Sequence, residues 1–140
     1  MKKGLAFITG FTILAVSACS SGPGVDYFTV SEDDLEILQE TRLLLAEESQ
    51  WARNEETQCD LEAEAFTLFC ALQKASFDVA EDFMLRRPAL EEVRYAIDEI
   101  SPELDRRLLD FNNLETTDLA KIHLVIDMAL ERLQVRLGTQ

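Results

Sequence analysis

The chain has 140 residues, of which 27 are Asp or Glu and 13 are Lys or Arg, giving a net charge of −14. A hydrophobic fraction of 47% excludes wholesale disorder, and the length suits one domain. The acidity argues against direct nucleic-acid binding and against docking on anionic lipid through a basic patch, since both need clustered Lys and Arg.

In chain order the first element is a leader. Lys2 and Lys3 precede an apolar run from Leu5 to Val16, broken only by Thr9, Gly10 and Thr12. The run has the length of a signal-peptide core and falls short of the roughly 20 apolar residues of a spanning helix. It ends in Val16-Ser17-Ala18-Cys19. Here the sequence resembles bacterial lipoprotein precursors, whose lipobox is an aliphatic residue, two small residues and a cysteine. The resemblance implies that Cys19 receives a diacylglyceryl thioether, that cleavage follows Ala18, and that the new N-terminus is acylated. Two or more acyl chains give stable anchoring, so the expected localisation is the cell envelope, with the membrane engaged through lipid on Cys19. In a Gram-negative host, Ser20 resembles the outer-membrane sorting pattern.

Cleavage leaves 122 residues carrying 11 bases against 27 acids, a net of −16. Residues 26–64 hold 13 acids against Arg42 and Arg53, a local net of −11, while residues 65–140 hold 14 acids against 9 bases. The organisation is a leader at 1–18, a lipidated cysteine and tether at 19–30, and an acidic helical domain at 31–140. Ser20-Ser21-Gly22-Pro23-Gly24 has tether composition. Tyr27-Phe28-Thr29-Val30 has strand propensity but reads better as a docking segment.

Helical patterns follow. Ser31 and Asp34 form a capping box, and Leu35, Leu38, Leu45 and Ala46 share a face of a helix predicted to run to about Ser49. Leu61, Ala65, Leu68, Phe69, Leu72 and Val79 keep helical spacing in a second segment. Pro88 suits a first helical position, and Leu90, Val93, Ile97 and Ile100 make a third stripe. Ser101-Pro102-Glu103 signals the start of a short helix containing Leu104 and Leu108. Thr116 or Thr117 is expected to cap the last helix, with Asp118 favourable near its positive end. Leu119, Ile122, Ile126, Ala129, Leu130, Leu133 and Leu137 form its stripe, and Gly138 is expected to close it in a left-handed conformation. The predicted fold is all-α, a bundle of four to five amphipathic helices.

With Cys19 committed to lipid, Cys59 and Cys70 remain as a pair that an oxidising compartment would join. Along one continuous helix eleven steps separate their Cα atoms by roughly 16 Å, far beyond the roughly 4.4–6.8 Å of a disulfide. A bond therefore requires Cys59 in a turn that folds back on a helix starting near Glu64; the alternative is two separate thiols. His123 is the only histidine and reads as a surface or partly packed residue rather than a metal ligand.

There is no nucleophile motif, phosphate-cradling glycine loop or calcium loop, so no cofactor or metal is expected. The pairs Glu47-Glu48, Glu55-Glu56, Glu81-Asp82 and Glu91-Glu92 read as solvated acid. Trp51 reads as a core anchor, and Phe111-Asn112-Asn113-Leu114 as a polar turn setting the last helix. Phe69-Cys70-Ala71-Leu72, the Asn112-Asn113 turn and the final helix together resemble a family of small uncharacterised bacterial helical domains, a resemblance that implies no activity.

The function expected is a non-enzymatic, lipid-anchored interaction module. A narrower form is an inhibitor or immunity-type protein for a basic envelope or exported partner, met through Glu32, Asp33 and Glu36. The competing readings are an envelope hydrolase using carboxylates and a structural accessory of an envelope complex.

Overall fold

Ser31 and Asp34 do start the first helix, α1 (Glu32–Leu44). The Asp34 carboxylate accepts from the Ser31 backbone N–H at 2.9 Å and its hydroxyl at 3.0 Å. It also does something the local motif cannot show. Its other oxygen accepts from the Ala89 N–H at 3.2 Å, at the start of α3 (Pro88–Ile100), and lies 3.2 Å from Nε of Arg87. One buried carboxylate thus serves the free amides of two helix starts. The computed structural model describes residues 29–55 and 57–139. The leader, Cys19, the glycine-rich tether, Tyr27 and Phe28 lie outside them, while Val30 is buried in the core.

α1 stops at Leu44 rather than near Ser49. In a longer helix the Leu45 carbonyl would accept the amide of residue 49; instead it is 2.6 Å from Nε2 of His123, 78 residues away. Glu47 then opens a short 3₁₀ turn, Glu48–Gln50. The second helix, α2 (Leu68–Ala80), begins later than expected, so Leu61 and Ala65 fall outside it. Thr67 caps α2 by accepting from Cys70 N–H, and Glu81 closes it with a left-handed φ of 54°.

Pro88 occupies the first turn of α3, whose Leu90, Val93, Ala96 and Ile97 are fully buried. The short helix α4 (Arg107–Asn113) begins after the expected Ser101–Glu103 signal. Glu103 takes φ 74°, which no helix continues through, and Asp110 reaches back to accept from the Arg106 N–H at 2.9 Å. Asn112 and Asn113 therefore end a helix rather than form a turn. The last helix, α5 (Leu119–Gly138), is capped by Asp118 through the Lys121 N–H, one residue beyond the threonines. Gly138 is its final helical residue and has no positive φ.

The helices pack as a bundle with α5 against both α1 and α3, α2 against α1, and α4 between α2 and α3. α5 runs antiparallel to α3, since Glu92 meets Arg136 while Glu99 meets Arg132. It is antiparallel to α1 as well, where Arg42 meets Asp127 and Leu45 meets His123. Ile122, Ile126, Ala129 and Leu133 of α5 are fully buried and share one core with Ile37, Leu38, Leu72 and Phe111. Among the described residues there is no strand, only a single bridge between Trp51 and Phe66.

Candidate functional site

Between α1 and α2 the chain runs for more than twenty residues with only one 3₁₀ turn. Unstructured connections of more than about 12–15 residues are uncommon within compact domains. This one, residues 46–66, is a strap fastened to the bundle at several points. Its two ends are tied together where Ala52 N–H donates to the Phe66 carbonyl and Phe66 N–H to the Gln50 carbonyl. Cys59 and Cys70 stand at disulfide distance, with sulfurs 2.07 Å and Cα atoms 5.4 Å apart. Because Cys59 lies in the strap and Cys70 in the first turn of α2, the continuous-helix conflict does not arise.

The central fastening is Asn112, which is fully buried. Its Oδ1 accepts from Trp51 Nε1 at 2.7 Å and from the Leu68 N–H at 2.9 Å. Its Nδ2 donates to the Ala52 carbonyl at 3.0 Å. One amide thus joins α4, the strap and an otherwise orphaned amide at the start of α2. Asn113 adds a bond to the Asn54 carbonyl at 2.9 Å. Arg53 donates to the carbonyls of Leu114 and Thr117 and lays its guanidinium 4.5 Å from the Trp51 ring centre, a cation–π contact. Trp51 is half-buried, its ring held by these groups.

What the fastened strap displays is charge. Glu47, Glu48, Glu55, Asp60, Glu62 and Glu64 are all exposed, and Arg53 is the strap's one base. The carboxylates expected to meet a partner, Glu32, Asp33 and Glu36, are exposed on the first turns of α1. Asp33 lies 3.6 Å from Arg87, whereas Glu32 and Glu36 have no cationic partner among the described residues. α1 rises about 1.5 Å per residue, so its acidic start stands roughly 18 Å from the beginning of the strap. That distance exceeds the screening length of about 8 Å at physiological salt. Glu40, half-buried on α1, lies between these two groups of acids.

The other singled-out residues have structural partners. His123 is partly buried against the end of α1. Glu92 is not solvated acid: it is buried, 2.6 Å from Arg136 and 3.8 Å from Arg132, which also pairs with Glu99. Among the described residues no group of three or more His, Cys, Asp or Glu is placed to hold a metal ion, and no helix is long and apolar enough to cross a membrane. Cys19 lies outside the described residues. Sequence reasoning missed the long-range roles of Asn112, Arg53, Asp34 and Glu92 because the partners concerned lie 40 to 64 residues away. The one available signal was the unusual length of polar chain between two helical patterns.

These features define a class: an all-helical domain that carries a long acidic strap fixed by a buried amide and a cysteine pair. The chain belongs to DUF6197, a family of unknown function, which it matches over residues 29–132. The match takes in the strap and every helix start. No curated protein and no solved structure matches the chain.

Proposed function

We propose that this protein is a lipid-anchored envelope protein that acts as a non-enzymatic interaction module, presenting its fixed acidic strap to a basic partner. The observation that carries the reading is the strap itself: six exposed carboxylates on a segment tied down by Asn112, Arg53 and the cysteine pair. A fixed array loses little conformational entropy on binding, and its field speeds the approach of an oppositely charged protein. An inhibitor or immunity-type role is the narrower form of the same reading. The lipobox at Val16–Cys19 supports the envelope location. A hydrolase is the weaker alternative. The groove between α3 and α5 does hold Glu92 and Glu99, but both are engaged by arginines.

Two experiments test it. Replacing Cys19 with Ala should abolish palmitate labelling; continued labelling and normal maturation would overturn the anchor. Partners captured from envelope fractions by the lipidated protein should associate more slowly as salt rises. Reversing Glu47, Glu48 and Glu55 to Lys should slow association about tenfold, more than reversing Glu32, Asp33 and Glu36. If neither reversal changes capture or its salt dependence, the acidic surface serves solvation and the proposal fails.

A further inference from the structure

The basic residues of an acidic chain are worth locating, because composition alone counts against any anion site. Arg86, Arg94, Arg106 and Arg107 gather around two neighbouring concavities, of about 170 and 250 Å³, that share Leu85, Arg94 and Arg107. Phe69 and Leu108 line the first. Phe83 packs edge-on to Phe69 with ring centres 5.9 Å apart, and Phe77 stands 6.3 Å from Phe83. Phe77 and Leu85 are 40% and 54% exposed, so arginines and uncovered apolar groups meet at one surface. Aromatic residues and arginine are the types enriched at binding surfaces.

Much of the donor capacity here is uncommitted. Arg94 uses Nη1 for both the Leu85 carbonyl and Glu91. Arg106 offers one nitrogen to Asp110 at 3.0 Å, and Arg107 one to Asp98 at 2.7 Å. Arg86 is exposed and has no partner among the described residues. A guanidinium carries five N–H donors in a planar fork, so most remain free. Burial lowers the pKa of Arg94; Glu91 opposes the shift, and nearby Arg107 and Arg86 add to it. An incoming anion would relieve that repulsion.

The surrounding carboxylates restrict the ligand. Glu91, Asp98, Asp105 and Asp110 balance the four arginines, and the whole chain is at −14. A multiply charged phosphate would be repelled more than a single carboxylate. Each concavity is smaller than the roughly 300 Å³ at which sites for drug-sized ligands begin, so the fit is to one or two side-chain-sized groups.

We infer that these two adjoining concavities together bind a monoanionic carboxylate adjoining an apolar group, as presented by an acidic, apolar segment of a protein partner. Arg86, Arg94 and Arg107 receive the carboxylate, and Phe69, Leu85 and Leu108 cover the apolar group. This site is separate from the acidic strap and does not depend on the strap's proposed role.

The test is an NMR titration of the intact, disulfide-containing protein with N-acetylphenylalanine, its uncharged amide, and inorganic phosphate. The carboxylate should give saturable shifts at the amides of residues 83–94 and 105–109, with the amide analogue and phosphate each at least tenfold weaker. Arg86→Gln, at an exposed and unpaired position, should weaken binding three- to tenfold without altering the rest of the spectrum. Leu85→Asn should do the same. Equal binding of the amide analogue, tighter binding of phosphate, an unchanged affinity in Arg86→Gln, or no saturable shift would each overturn the proposal.

Discussion

The helical bundle and the strap are ordered by different physics. In the bundle, Ile37, Leu72, Ile97, Phe111 and Ile126 are fully buried, and order comes from removing many apolar groups from water, so no one contact is indispensable. The strap buries Phe66, rests Trp51, Cys59 and Ala63 partly against the core, and otherwise runs over the surface. Its order depends on a few polar bonds, one cation–π contact and one cysteine pair. Bonds of that kind contribute modestly when made and cost more when one partner is left buried and unpaired. The difference teaches that a long loop can be held in one conformation without a core of its own, at the expense of dependence on single residues.

Perturbations at three sites probe the contrast. The largest effect should follow Ile126→Ala, which opens a cavity in the middle of α5. A loss of about 4 kcal/mol is expected, read by chemical denaturation, with bundle and strap losing protection together. Asn112→Ala should cost about 3 kcal/mol, since Trp51 Nε1 and the Leu68 N–H lose their acceptor. Hydrogen exchange should then rise first at the amides of Ala52, Phe66 and Leu68 while α3 and α5 stay protected. An even loss of protection through all five helices would erase the distinction. Asn112→Asp sharpens it, because the variant keeps an acceptor but sets a carboxylate against the Ala52 carbonyl.

The smallest of the three concerns the cysteine pair. Loop closure predicts about 3 kcal/mol for a loop of this length. Reduction should cost closer to about 2 kcal/mol, because the Asn112 and Arg53 contacts persist and keep part of the loop ordered. Melting with and without reductant measures the change, and limited proteolysis should find new cleavage only between about residues 54 and 65. Cleavage within α2 or α5 on reduction would show that the bond holds the bundle and not the strap alone.

Legibility in the sequence followed the range of the interaction responsible. Ser31 with Asp34 and Pro88 mark helix starts within a few residues, and the α5 stripe repeats within one element; these starts and this stripe are where expected. The end of α1 was misplaced because His123 supplies the terminating contact from another helix. The start of α4 was misplaced because Glu103 adopts a left-handed conformation that its residue type does not announce. Glu92 looked like surface acid because its compensating arginines are 40 and 44 residues downstream.

The sequence by itself determined the helical class, the charge imbalance and the condition under which Cys59 and Cys70 can meet. These follow from composition, from periodicity and from the fixed rise of a helix, all of which act along the chain. Only the tertiary structure decided that Asn112 fastens the strap and that four arginines gather around two adjoining concavities. Each depends on residues brought together from distant parts of the chain. Burial turns an ordinary amide into a clamp, and packing gathers a minority of positive charges at one surface.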